Sequence, residues 1–119
     1  MGALPDGLPA PISGEIPTQH LTASDKTFHA YLHIPFCSER CGYCDFNTYT
    51  ATELNGYPQT AFLSHLRSEI ALSLGQVGRR ELQTVFFGGG TPTLLPANEL
   101  VEALAILVEC FGLAEGAEV

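Results

Sequence analysis

The first ordered element that the sequence predicts is a strand with two faces of different character. Apolar residues alternate with polar or larger aromatic ones over residues 28–34, and Pro35 ends the run. Because successive side chains of a strand point to opposite faces, His29, Tyr31 and His33 share one face and the apolar residues share the other. We expect the apolar face to pack in a core and the polar face to line a site.

Further along the chain, the spacing of apolar residues predicts more strands and helices. A loop over 37–56 is followed by a helix from about 58 to Gly75 or Gly78. A second strand over 82–87 ends at the run of three glycines over 88–90, and a second helix extends from Pro96 to Gly112. Residues 117–119 are the entry of a third strand. Alternating strands and helices predict parallel βαβ units, hence an α/β fold. In such folds ligands bind on the loops that follow the strands.

The first 26 residues differ from the rest of the chain. Four prolines and three glycines fall in this stretch, and its apolar residues show no period. Such a segment cannot bury enough surface to offset the entropy lost on ordering. The sequence therefore predicts a disordered arm over 1–26 and a single domain over 27–119.

Charge and composition limit the classes of partner. The 119-residue chain has 13 acidic and 5 basic side chains, a formal net charge of −8, which argues against nucleic acid as a partner. No segment approaches the roughly 20 apolar residues of a membrane span. The N-terminus lacks the basic and apolar regions of a secretory leader. We expect a cytoplasmic protein without a membrane span.

Three cysteines in the first loop form a candidate metal site. Cys37, Cys41 and Cys44 have the spacing C-x3-C-x2-C, whereas the fourth cysteine, Cys110, falls on a helix and is expected to pack in the core. An odd number of thiols in a short loop argues against disulfides. The spacing favours an iron–sulfur cluster with one open iron. A zinc site completed by a histidine of the first strand is the second interpretation.

Two runs of residues resemble the motifs of a known family. YLHIPFC over 31–37 and CGYC over 41–44 resemble the signature of the radical S-adenosylmethionine (SAM) superfamily. FFGGGTPT over 86–93 resembles the glycine motif of one branch, the oxygen-independent coproporphyrinogen III oxidase-like proteins. The two motifs stand in family order, and the resemblance covers about residues 28–119. It implies the N-terminal part of a partial (β/α) barrel, similar to a TIM barrel.

The residues after the third cysteine indicate a subgroup of this branch. The oxidase proper carries a further cysteine two positions after the third, where this chain has Phe46. The run CDFNT over 44–48 is similar to the corresponding run in the heme-chaperone subgroup, HemW. The resemblance therefore implies a heme chaperone, with oxidative decarboxylation of coproporphyrinogen III as the alternative and a small zinc-binding module as the second alternative.

The resemblance also implies roles for individual residues. It implies that Cys37, Cys41 and Cys44 hold a [4Fe–4S] cluster whose open iron binds SAM. The residues expected to contact SAM are Tyr31, Tyr43, Gly88, Gly89, Gly90 and Thr91. No residue of the chain is expected to act as a catalytic acid, base or nucleophile. His29 and His33 are expected to pack or form hydrogen bonds, with axial heme ligation as the alternative.

A barrel of this kind needs more strands than the chain supplies. Two βα units and the start of a third strand do not close it, so we expect an N-terminal fragment that does no chemistry alone. Heme or porphyrin and an acceptor protein are the partners that the resemblance implies. Both are expected to bind through the missing C-terminal part.

Overall fold

The described part of the chain folds into two α-helices and a three-stranded sheet. A computed structural model describes residues 6–17, 26–39, 41–43, 47–50 and 54–119. The elements are, in order, strand β1 (Phe28–Ile34), helix α1 (Phe62–Val77), strand β2 (Leu82–Gly89), helix α2 (Ala97–Phe111) and strand β3 (Leu113–Glu118). Short 3-10 helices at Gln59–Ala61 and Pro92–Leu94 precede the two α-helices. The predicted α/β organisation is confirmed.

The sheet is parallel, and β2 lies between β1 and β3. β1 pairs with β2 along its whole length, with a shift of register where Phe28 faces Leu82 and His29 faces Thr84. A parallel pair needs a crossover, and α1 and α2 supply the two crossovers. The ends of β1 and β2, and the loops that follow them, therefore lie at the same edge of the sheet.

Both helices pack on the apolar face of the sheet. The main core consists of nine buried residues, which are Leu32, Leu66, Ile70, Leu82, Val85, Ala103, Ile106, Leu107 and Phe111. Burial of these side chains is the main stabilising contribution, at about 25 cal/mol for each Å² removed from water. A second, smaller cluster of Ile34, Phe36 and Leu95 lies where the chain leaves β1. The prediction that the even-numbered residues of β1 form its packing face is confirmed.

Both α-helices end at a glycine in the left-handed region. Gly78 follows α1 with φ 75°, and Gly112 follows α2 with φ 85°. Their backbone N–H groups donate to the carbonyls of Leu74 and Val108, which would otherwise lack a partner at the helix end. Of the two predicted ends of α1, the structure selects Gly78.

Four predicted boundaries were wrong by a few residues. α1 begins at Phe62 and not near residue 58, because a 3-10 helix over Gln59–Ala61 precedes it. β2 does not stop at Phe87, because Gly88 and Gly89 continue the ladder opposite His33 and Ile34. Pro96 precedes α2 with an extended ψ of 143°, so the first helical residue is Ala97.

The third strand begins earlier than predicted. Its first residue is Leu113, next to Gly112, and not a residue in 117–119. The left-handed glycine reverses the chain in a single residue, and Leu113 packs against the main core. The sequence pattern did not indicate this start, because β3 is short and contains Glu115 and Gly116.

The segment before β1 is described in part. All of residues 6–17 are exposed, a turn closes between Pro11 and Gly14, and the Ile16 N–H donates to the Gln76 side-chain oxygen on α1. Residues 1–5 and 18–25 lie outside the described residues, so the disordered arm stays a prediction. In the described part of the chain, no helix is both long enough and apolar enough to cross a membrane.

Candidate functional site

The cysteine loop and the glycine run meet at the carboxyl edge of the sheet. Beyond the last paired residues of β1 and β2, the Gly90 N–H donates to the Ile34 carbonyl at 2.8 Å. The Thr91 N–H donates to the Phe36 carbonyl at 2.7 Å. These bonds continue the pairing past the strands, so the chain leading to Cys37 runs directly beside the glycines.

A second set of backbone bonds anchors the root of the cysteine loop. The Tyr49 N–H donates to the Pro35 carbonyl at 2.7 Å, and the Cys37 N–H donates to the Tyr49 carbonyl at 3.0 Å. Phe36 is 3% exposed and meets the Phe62 ring edge-on, with centroids 5.3 Å apart. The first cysteine is therefore held by both the returning end of its own loop and the core.

The described cysteines have different environments. Cys37 is half-buried at the root of the loop, whereas Cys41 is exposed. Cys44 lies outside the described residues, so the predicted set of three ligands stays a prediction. Within the described ranges, no group of three potential metal ligands is formed. Cys110 is a free thiol on α2 that packs against the main core, as expected for a small apolar residue.

The three glycines leave room for neighbouring groups of β1 and the cysteine loop. A Cβ on Gly88 would lie 2.8 Å from the Tyr31 ring, and one on Gly89 would lie 2.6 Å from the Ile34 carbonyl oxygen. A Cβ on Gly90 would overlap the Phe36 carbonyl oxygen. Such distances are shorter than ordinary contacts. A side chain on Gly89 or Gly90 would therefore displace the backbone, whereas one on Gly88 would meet the exposed rings of Tyr31 and Phe86. Packing within the protein requires glycine at positions 89 and 90, independently of any ligand.

The backbone conformation of Gly89 is a second reason why this position requires glycine. Its φ is 106°, a conformation that residues with a Cβ rarely adopt. Glycine adopts this conformation without strain because it has no Cβ. Thr91 follows with an extended backbone and a half-buried side chain, and the short helix Pro92–Leu94 begins after it.

The face of the sheet away from the helices carries an aromatic pair. Tyr31 of β1 stacks on Phe86 of β2, with ring centroids 5.9 Å apart and planes 16° apart. The two residues are 58% and 64% exposed. Tyr43, in the cysteine loop, is exposed as well. The structure places Tyr31 next to the glycine run, but no described contact joins Tyr43 to it.

Both histidines of β1 use both ring nitrogens in hydrogen bonds. His29 bonds to the hydroxyls of Thr27 and Thr84 at 2.7 and 2.8 Å. His33 bonds to the Tyr31 hydroxyl at 3.1 Å and to the Asn47 carbonyl at 2.6 Å. The expected hydrogen-bonding role of these histidines is what the structure shows.

Two residues, Phe86 of this face and Asn47 of the cysteine loop, were not among the predicted site residues. The sequence could have indicated Phe86, because side chains alternate along β2 and Phe86 therefore lies on the other face from the buried Val85. It could not have indicated Asn47, since Asn47 contacts His33 through a backbone carbonyl and any residue type supplies that group.

Comparison with protein families identifies the group to which this site belongs. The model of the radical SAM superfamily matches residues 31–118, a range that includes the cysteine loop and the glycine run. The chain belongs to the radical SAM superfamily.

Individual relatives in this superfamily agree with the assignment. The chain is 46% identical over 94 residues to the heme chaperone HemW of Mycobacterium tuberculosis, covering 79% of this chain and 24% of that protein. It is 38% identical over 93 residues to an oxygen-independent coproporphyrinogen III oxidase of Bradyrhizobium diazoefficiens, covering 75% of this chain and 20% of that protein.

The fold is that of a solved radical SAM enzyme. Coproporphyrinogen III oxidase (HemN) from Escherichia coli superimposes with a TM-score of 0.67 at 25% identity, over 84% of this chain and 23% of that chain. The predicted similarity to a partial radical SAM barrel is confirmed. The chain spans between a fifth and a quarter of the length of the curated relatives that it matches.

Proposed function

We propose that this radical SAM chain holds a [4Fe–4S] cluster and SAM as part of a HemW-like heme chaperone. The proposed cluster ligands are Cys37, Cys41 and Cys44. Thiolates are the usual ligands of such clusters, and three of them leave one iron open for another ligand. When bound, a cluster of this kind supplies one electron to SAM.

The observation that carries the proposal is the contact between the cysteine loop and the glycine run. A Cβ on Gly90 would lie 2.7 Å from the Cys37 sulfur, so the first thiol lies directly against the glycine backbone. The thiol donor fits an iron–sulfur cluster, and the glycine backbone leaves no side chain of β2 between that thiol and the sheet edge. Neither feature alone would distinguish a cofactor site from a packed turn.

The proposed SAM contacts lie around this junction. Tyr31 presents a hydroxyl from the middle of β1, beside Gly88, and Thr91 offers a hydroxyl after the glycines. Gly88, Gly89 and Gly90 expose backbone groups without intervening side chains. We propose that Tyr43 shields the bound cofactor from water, because an aromatic ring covers a large apolar area.

The heme-chaperone assignment rests on relatives and on the sequence after the third cysteine. The M. tuberculosis relative at 46% identity is a heme chaperone, and Phe46 replaces the further cysteine expected of the oxidase. We propose heme as the cargo, an acceptor protein as the partner and the cytoplasm as the location. Thiols stay reduced there, as cluster assembly requires.

Coproporphyrinogen III oxidation is the second candidate, favoured by the 38% identity to the Bradyrhizobium enzyme. Incubating the chain within its complete protein with SAM, a reductant and coproporphyrinogen III separates the two. The chaperone proposal expects no protoporphyrinogen and transfer of bound heme to an acceptor. Formation of protoporphyrinogen would contradict it.

Hydrogen bonding of the histidines argues against a Cys3His zinc site. Both ring nitrogens of His29 and of His33 already have partners, so a metal would have to displace one of them. A colourless protein that binds one zinc after anaerobic reconstitution with iron, sulfide and zinc would support the zinc alternative instead.

Replacement of one proposed ligand tests the cluster. Anaerobic reconstitution of the wild-type chain should give iron and sulfide at about four each per chain, with broad visible absorbance. Cys41→Ala should retain neither the iron nor the sulfide, because a cluster held by only two thiolates is not retained. Cys110→Ala is the matched control and should keep the wild-type cluster. A normal cluster in Cys41→Ala would show that the ligands are misassigned.

A further inference from the structure

His33 contacts the three segments from which the proposed site is built. Tyr31 lies two residues earlier in β1, and Asn47 lies where the cysteine loop returns to the sheet. The third segment is β2, where a Cβ on Gly89 would lie 2.9 Å from both Cε1 and Nδ1 of the imidazole. The ring therefore lies directly over the Gly89 backbone.

The partners of His33 determine where its proton is. The Asn47 carbonyl only accepts hydrogen bonds, so Nε2 must carry the hydrogen of the 2.6 Å bond. In the neutral ring, Nδ1 then has a free electron pair. The Tyr31 hydroxyl, 3.1 Å away, donates its hydrogen to that pair.

This arrangement limits what Tyr31 can offer to a ligand. Because its only hydrogen is directed to His33, the phenol oxygen faces the open side with electron pairs alone. The ligand group that meets it must therefore be a donor, such as an amine or amide N–H. A carboxylate oxygen would find no donor at Tyr31.

We propose that His33 is a positioning residue of the SAM site, an inference that rests on the proposed function. Through Nε2–H it holds the returning end of the cysteine loop against β1. Through Nδ1 it sets the direction of the Tyr31 hydroxyl. Gly89 is the position in β2 that makes room for the ring.

Two substitutions separate the two hydrogen bonds. His33→Gln places an amide N–H near the position of Nε2, so it keeps a donor for Asn47 and loses the acceptor for Tyr31. His33→Asn places an amide oxygen near the position of Nδ1, so it keeps the acceptor and loses the donor. The readouts are iron and sulfide content, iron loss to a chelator, and SAM affinity by equilibrium dialysis.

The two variants are expected to differ in kind. His33→Gln should retain the cluster and bind SAM about fivefold more weakly, as expected for one lost hydrogen bond. His33→Asn should bind SAM nearly as the wild type does and lose iron to the chelator several times faster. Equal behaviour of the two variants, with a wild-type chain that holds cluster and SAM, would overturn the positioning role alone. A wild-type chain that assembles no cluster would contradict the proposed function itself.

A measurement on the wild-type chain covers the case in which a variant fails to fold. Nitrogen-15 chemical shifts of the imidazole distinguish the two tautomers. The structure predicts hydrogen on Nε2 and an unprotonated Nδ1 for His33. Hydrogen on Nδ1 with an unprotonated Nε2 would overturn the inference without any substitution.

Discussion

The two faces of the sheet are built from the same strands and differ in almost every physical property. On the helix side, Leu32 and Val85 are 5% and 3% exposed and belong to a continuous apolar core. On the opposite side, their sequence neighbours Tyr31 and Phe86 are 58% and 64% exposed. Polar contacts on this side consist of hydrogen bonds through histidines and hydroxyls.

The difference shows how the chain separates folding from binding. Each methylene removed from the packed face lowers the free energy of unfolding, so this face determines whether the sheet and helices assemble. The open face contributes little buried area and instead presents rings, hydroxyls and bare backbone. Substitutions on the first face should change the free energy of unfolding, and those on the second should change ligand affinity.

The largest effect on stability is expected at the packed face. Leu32→Ala should lower the free energy of unfolding by about 2–5 kcal/mol, because it leaves a cavity in the main core. Leu72→Ala is the matched control, since Leu72 is 44% exposed on α1. It should change stability by less than about 1 kcal/mol. Urea denaturation followed by circular dichroism measures both, and equal losses would contradict the assigned core.

An intermediate effect is expected at the junction between the two faces. Gly90→Ala should cost about 1–3 kcal/mol, because its Cβ would overlap the Phe36 carbonyl oxygen and the Cys37 sulfur. Gly75→Ala has nothing within 4 Å of the new Cβ and lies inside α1. That variant should be stabilised by about 0.5–1 kcal/mol. A neutral Gly90→Ala would mean that the glycine run is not tightly packed.

The smallest effect on stability is expected on the open face. Phe86→Ala should lower the free energy of unfolding by about 0.5–1 kcal/mol, from loss of stacking on Tyr31. Phe87→Ala, one residue further along, should cost at least about 2 kcal/mol because Phe87 packs against both apolar clusters. Thermal or urea unfolding of the two variants should therefore rank them clearly. A larger loss of stability in Phe86→Ala than in Phe87→Ala would mean that the packed and open faces of β2 are wrongly assigned.

Much of the fold was predictable because local signals agreed with one another. The alternation in β1 identified both its bounds and its faces, and the apolar spacing of α1 and α2 located both helices. The errors fell where local signals were weak. β2 continued through two glycines because β1 lay beside it, and β3 began at Leu113 because the core accepted that residue.

The candidate site was predictable in its residue types and less so in its contacts. Motif spacing indicated Cys37 and Gly90, but not that the sulfur and the glycine backbone would be neighbours. Alternation placed Tyr31 and His33 on one face, but did not indicate that His33 would also contact Asn47. Such contacts join residues distant in sequence, which no local periodicity records.

By itself, the sequence determined the α/β class, the two faces of β1, and the cysteine and glycine motifs that match the radical SAM superfamily. These follow from side-chain chemistry and from spacing within a single element. Only the tertiary structure decided that the glycines make room for Tyr31 and His33, and that the imidazole bonds to the returning cysteine loop. The reason is physical: hydrogen-bond partners and tautomer depend on which backbone groups the packed core brings within 3 Å or so of each other.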